Sequence, residues 1–241
     1  PRRWERLRAP WRSGVSGARM IEMAIVGAGH WGPNLIRNFL QGSVSQVRWV
    51  IDSDPKRLEA VKARYPQIQT SQEIAPALAD GSVTAVVIAT PTSTHYGIAR
   101  AALEAGKHVL VEKPITGDSR QGDELAALAE KTHRVLMVGH VFLFNPAVQR
   151  VRTYIEEGQL GRLHYVSMVR TNLGPIRMDV NAAWDLASHD LSIANYWLGA
   201  APTHVIATGG TWINEGIDDA VFATFKYPGN VLVNLHASWL N

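Results

Sequence analysis

Three groups of residues in this sequence combine side-chain type and spacing in ways that could do chemistry. Lys113 stands in Glu112-Lys113-Pro114, directly after the apolar run His108 to Val111. A lysine there can donate a hydrogen bond to an oxygen on which negative charge develops, although an exposed lysine paired locally with Glu112 fits the same residues. Asp185 and His189 are four residues apart in a stretch of helical pattern. That spacing puts a carboxylate and an imidazole on one helical face, where the acid can orient the ring as a general base or acid; an ordinary helical ion pair is the bland alternative. The third group, Thr90-Pro91-Thr92-Ser93-Thr94-His95, follows the apolar run Val83 to Ala89. Metal chemistry is not expected, because the absence of cysteine removes a thiolate third ligand and there is no His-Glu-x-x-His pattern.

What these groups would act on is suggested by Gly27-Ala28-Gly29-His30-Trp31-Gly32. Glycines at this spacing arise by chance, so context decides. The loop directly follows a predicted strand and precedes a predicted helix, as a dinucleotide-binding turn requires. Gly27 permits the tight turn, Gly29 lets the backbone approach a pyrophosphate, and Gly32 lets helix and strand pack closely, while free N–H groups of the helix face the phosphates. Twenty residues after Gly32, the next strand ends in Asp52. An acid at that point accepts bonds from the adenosine ribose and repels a 2′-phosphate, so NAD is expected over NADP.

The elements that must position these residues are legible as alternation. Ile21 to Val26, Val47 to Ile51, Val83 to Ala89, His108 to Val111 and Val135 to Val138 are short, rich in Val and Ile, and apolar on both faces, as strands of a helix-covered parallel sheet must be. Helix signals separate them: Pro33 in a first turn, Asp54-Pro55 as cap and first residue, and Gly106 as terminator. The spacing predicts a doubly wound α/β domain over residues 20–140. Beyond it a helix is expected from Pro146 to Glu157, a strand from Leu163 to Asn172, and a helix from Ala183 to Leu198. Three more strands follow, Thr203 to Ile213, Ala220 to Tyr227 and Val231 to Trp239, the last two joined by Pro228-Gly229-Asn230. Residues 141–241 are therefore expected to form an α+β domain on a mostly antiparallel sheet. The chain stops just after a strand, and a C-terminal truncation is expected.

Composition narrows the classes. An apolar content of 46% in 241 residues is that of a globular protein with a real core. The net charge of +3 misleads: residues 1–19 hold six arginines and one acid, a local +5 that leaves −2 for the rest. The near-neutral body gives no reason to invoke nucleic acid, and no apolar run is long enough for a membrane span. Residues 1–19 are expected to be disordered or non-native, and the absence of cysteine fits the cytoplasm.

Taken together, Gly27-x-Gly29-x-x-Gly32, Thr90-Pro91-x-x-Thr94-His95, Glu112-Lys113-Pro114 and Asp185-x-x-x-His189 resemble the Gfo/Idh/MocA oxidoreductases over residues 20–241. The resemblance implies a Rossmann domain followed by a large open sheet that also mediates homo-oligomerisation. It implies NAD-dependent oxidation of a secondary hydroxyl of a sugar or polyol, with Lys113 and His189 at the reacting centre and Asp185 beside them. Gly27, Gly29, His30, Trp31, Gly32, Asp52, Thr90, Pro91, Thr94, His95, Glu112 and Lys113 would line the cofactor. Within the family, Gly32-Pro33-Asn34, Phe144-Asn145-Pro146-Ala147 and Trp184 to Asp190 look most like nucleotide-sugar 3-dehydrogenases acting on UDP-N-acetylhexosamines or their uronates. Asn145, Arg170 and Asn172 are candidate substrate contacts, the arginine suiting phosphate or carboxylate. Three alternatives stay open: a lyase or glycoside hydrolase working by transient oxidation, an NAD-binding protein without catalysis, and DNA binding through residues 1–19.

Overall fold

Strand β1 (Ile21–Val26) carries the four buried residues Met23 to Val26, and the chain folds around it on both sides. The computed structural model describes residues 20–174 and 176–241, so the expectation for residues 1–19 lies outside the described residues. The described residues form two compact units, one ending at Gly139 and the other beginning at His140.

In the first unit, β1, β2 (Ser45–Ile51), β3 (Gln69–Ser71), β4 (Ala85–Ile88), β5 (His108–Val111) and β6 (Leu136–Val138) make one parallel sheet. Its order is β3-β2-β1-β4-β5-β6. Helices α1 (Gly32–Gln41), α2 (Pro55–Arg64), α3 (Ala75–Ala79), α4 (Thr92–Glu104) and α5 (Ser119–Lys131) join the strands. Because β1 is flanked by β2 and β4, the winding reverses there, and a crevice opens at the carboxyl ends of these strands. Two apolar clusters hold the sheet. One joins Ala24, Val86 and Ile88 to Ala99, Leu103 and Leu125; the other joins Ile25 and Val50 to Ile36, Leu58 and Ile68. Each fully buried Val, Leu or Ile side chain contributes about 1.5–3 kcal/mol. Asp54 caps α2 by accepting from the Lys56 N–H, as its position before Pro55 implies. Strand β3 escaped the sequence reading because Gln69-Thr70-Ser71 is a short polar edge without apolar alternation.

The second unit has a short 3-10 turn at Val141–Phe144, then α6 (Pro146–Glu156), β7 (Tyr165–Thr171), a π turn at Ala183–Ala187, α7 (Ser188–Leu198), β8 (His204–Gly210), β9 (Ala220–Tyr227) and β10 (Val231–Ser238). The sheet order is β7-β10-β9-β8. β9 pairs antiparallel with both neighbours, whereas β7 and β10 run parallel, so the sheet is mixed. One face packs against helices: Met168, Tyr227 and Val233 meet Ile193 and Ala194, while Leu235, Ala237 and Trp239 meet Ala182, Leu186 and Ala187. The other face is open and displays Tyr165, Val169, Ile206 and Phe222.

Two expected elements are corrected here. The helix foreseen as continuous from Ala183 to Leu198 begins with a π turn, whose wider loop admits an extra residue and resets the side-chain faces before α7. The strand foreseen from Thr203 to Ile213 ends at Gly210, because the N–H groups of Trp212 and Ile213 turn to donate to the buried Asp219 carboxylate at 2.6 and 2.8 Å. No helix among the described residues is long and apolar enough to cross a membrane.

Candidate active site

The first unit gathers its sequence-predicted residues at the carboxyl edge of the parallel sheet. Adjacent strand ends are stitched in sequence: the Gly27 N–H donates to Ile51 O at 2.7 Å, Ala89 N–H to Val26 O at 2.8 Å and Glu112 N–H to Ile88 O at 2.9 Å. Thus the glycine loop, Asp52, the Thr90 to His95 segment and Glu112-Lys113 leave the sheet side by side.

The loop has the shape a dinucleotide needs. Gly27 has φ +99°, and a Cβ on it would stand 2.6 Å from Ala89 O. A Cβ on Gly32 would stand 2.2 Å from Gly27 O, so both positions exclude any side chain. Asp52 is 6% exposed; one carboxylate oxygen accepts from the Ala28 N–H at 2.7 Å and the other from the Asp54 N–H at 2.9 Å. A carboxylate oxygen has two lone pairs, so the oxygen that meets only the Asp54 N–H retains capacity for a ribose hydroxyl. Arg57 lies loosely against it at 3.5 Å. The turn, the start of α1 and the acid fit a dinucleotide of the NAD type.

Glu112 adjoins this loop. Burial holds its carboxyl above the ordinary carboxylate range, opposed by the Lys113 N–H and by a hydrogen bond from the Trp31 side chain. The carboxyl crowds Gly139, where a Cβ would lie 3.1 Å from it. The Lys113-Pro114 peptide bond is cis. Thr94 donates from its hydroxyl to Thr90 Oγ1 at 2.7 Å, tightening the first turn of α4. His95, grouped with the cofactor residues on sequence, is 1% exposed, with Nδ1 2.9 Å from Pro114 O and Nε2 2.9 Å from Thr90 O. Both ring nitrogens are thus engaged by backbone.

In the second unit Asp185 lies in the π turn and His189 at the start of α7. The Asp185 carboxylate accepts from Arg177 Nη1 at 3.2 Å and from the Trp239 indole at 3.1 Å. Neither partner was foreseen: Arg177 lies in an irregular segment and Trp239 follows β10, more than fifty residues beyond Asp185. The His189 ring meets Phe142 edge-on at 4.8 Å. Arg170, foreseen as a phosphate or carboxylate contact, holds the buried Asp190 carboxylate through Nε and Nη2 at 2.7–3.1 Å and lies over the Phe142 ring. Asn145 caps α6 by accepting from the Ala147 N–H at 2.8 Å. Asn172 is exposed just past β7, its N–H donating to Ser238 O. No three His, Asp or Glu side chains among the described residues are grouped to hold a metal.

Comparison with known proteins agrees with this geometry. Residues 21–140 match the profile of the GFO_IDH_MocA oxidoreductase family, NAD-binding Rossmann fold, and residues 148–241 match the GFO/IDH/MocA C-terminal domain. The chain is 32% identical to UDP-N-acetylglucosamine 3-dehydrogenase of Acidithiobacillus ferrooxidans, over 91% of this chain and 68% of that protein. It is 29% identical to inositol 2-dehydrogenase of Rhizobium meliloti, over 83% of this chain and 62% of that protein. Among solved structures, GenD2 from gentamicin A biosynthesis, in complex with NAD, superposes with a TM-score of 0.89 at 25% identity, covering 97% of this chain and 70% of that one.

Proposed function

The chain belongs to the Gfo/Idh/MocA oxidoreductase family, and on that premise we propose an NAD-dependent dehydrogenase that oxidises a secondary hydroxyl of a nucleotide sugar, of the UDP-N-acetylhexosamine or uronate type. The observation that carries the proposal is the Asp52-braced glycine turn set beside Glu112-Lys113 at one sheet edge. The 32% identical relative, named for action on a UDP-sugar, supports the substrate class.

When bound, NAD supplies the hydride acceptor. The protein must supply the rest. A sugar hydroxyl is far too weak an acid to ionise unaided near neutrality, so a base has to share its proton in the transition state. His189 takes that proton in this reading, and Asp185 stabilises the ring that has received it. Lys113 donates to the reacting oxygen; one such donor is worth roughly 3–4 kcal/mol of barrier. The roles of Lys113 and His189 are interchangeable on chemistry alone. Asn145, Arg170 and Asn172 are the proposed substrate contacts, with Arg170 acting from its clasp on Asp190.

The open face of the second sheet is the proposed homo-oligomer contact, since it displays Ile206 at 79% exposure and Phe222 stacked on His236. A cysteine-free chain using NAD suits the cytoplasm.

The test is single-turnover NAD reduction with a panel of UDP- and dTDP-sugars. Lys113→Ala and His189→Ala should each slow the hydride step by at least about a hundredfold, within the range for lost oxyanion donors and general bases. Near wild-type rates in both would overturn the assignment.

A further inference from the structure

His95 poses a problem that the dinucleotide reading leaves unsolved. It is fully buried in the first turn of α4, and each ring nitrogen lies 2.9 Å from a backbone carbonyl, Pro114 O on one side and Thr90 O on the other. A carbonyl oxygen carries no proton, so the ring must be the donor in both contacts. A neutral imidazole donates from only one nitrogen; its second nitrogen would press a lone pair against an oxygen lone pair, out of reach of water. That is the arrangement buried polar groups avoid. The dipole of α4 disfavours a cation in its first turn. Glu112 is near enough to His95 for the two to interact electrostatically.

We infer that His95 is a positioning residue, a doubly protonated strut that donates to the Thr90 and Pro114 carbonyls and so sets the Glu112-Lys113-Pro114 segment relative to the Thr90 segment. Two loops that leave neighbouring strands β4 and β5 are locked by a side chain neither loop exposes. Pro114 directly follows Lys113, so a slack Pro114 carbonyl leaves the lysine ammonium misplaced. This rests on the proposed role of Lys113. It differs from a cofactor contact, because the ring has no nitrogen left to offer a ligand.

Two measurements test it on the intact protein. In 15N-resolved NMR at neutral pH, the His95 ring, identified by its loss in His95→Gln, should show protons on both nitrogens. A single neutral tautomer would overturn the double-donor strut. In kinetics, His95→Asn keeps a donor near the Nδ1 position and thus the Pro114 link, whereas His95→Gln keeps one near Nε2 and the Thr90 link. The hydride step should slow on the order of a hundredfold in His95→Gln and on the order of tenfold in His95→Asn, as small misplacements of reacting groups do. NAD affinity should move less than about threefold in both. Equal rates in the two variants, or losses that follow NAD affinity, would refute positioning through Pro114. If Lys113→Ala itself turned over normally, the functional reading would fall while the NMR result on the ring would stand.

Discussion

The two edges of the parallel sheet each carry a shielded aspartate, and they treat it differently. At the amino edge, Asp80 before β4 accepts from Arg48 Nε at 2.6 Å, the Trp49 indole at 2.9 Å and the Ser82 N–H at 2.9 Å. Beside it Lys107, 7% exposed, donates to Asp80 O and Val83 O. Two side chains of β2, together with the Ser82 N–H and hydroxyl of the following turn, saturate that carboxylate. At the carboxyl edge, Asp52 takes one short bond on each oxygen, from backbone N–H groups, and only a loose arginine at 3.5 Å. A saturated acid is a brace; one with lone pairs to spare is a receptor. The difference supports the proposed role of Asp52 as the ribose acceptor.

The largest way to break the comparison is at the receptor edge. Gly32→Val places a side chain 2.2 Å from Gly27 O, so NAD affinity measured by calorimetry should fall at least about a hundredfold. Retained affinity would show that the turn is not the phosphate site.

Next comes a crossed pair. Asp52→Ala should weaken NAD about tenfold, the loss of a charge-assisted acceptor, while Asp80→Ala leaves affinity unchanged and lowers Tm by several degrees. The pH dependence follows from the same bonds. Donors from Ser82, Trp49 and Arg48 hold the Asp80 carboxyl well below the ordinary carboxylate range. Its contribution to stability is therefore fully present above the unfolded value and disappears as pH falls through the folded one. Acid titration of Tm should show this loss in the wild type and less of it in Asp80→Ala. Coincident profiles would remove Asp80 from the bracing role.

A smaller effect is expected at Asp185. Trp239→Phe removes the indole donor and should slow turnover about fivefold, but not further slow Asp185→Asn, since partners that act through one group are not additive. Additive losses would mean that Trp239 acts only through packing. The smallest change concerns the open sheet of the second unit. Ile206→Glu puts a charge on its exposed face and should shift sedimentation toward the monomer with no change in NAD affinity.

How much of this was legible depends on how locally each feature is encoded. The glycine loop, Asp52 and Glu112-Lys113 were readable because glycine spacing, strand periodicity and strand ends are short-range facts. Strand β3 was not, because three polar edge residues carry no apolar alternation. The parallel pairing of β7 with β10 was hidden for another reason: the strands are separated by the whole of α7 and two intervening strands. The same distance concealed Trp239 as a partner of Asp185. Sequence offers Arg170 as a substrate contact for phosphate or carboxylate, and its neighbours give no hint of its clasp on Asp190, twenty residues on in α7.

The sequence by itself determined which residues stand at the carboxyl ends of the strands, since a period of two, a glycine turn and an N-cap are properties of neighbouring residues. Only the tertiary structure decided which of them face outward and which brace the interior. His95 belongs to the same motif as Thr90, yet it is buried between two carbonyls. Burial and the filling of lone pairs depend on what arrives from elsewhere in the chain, and no local pattern contains that.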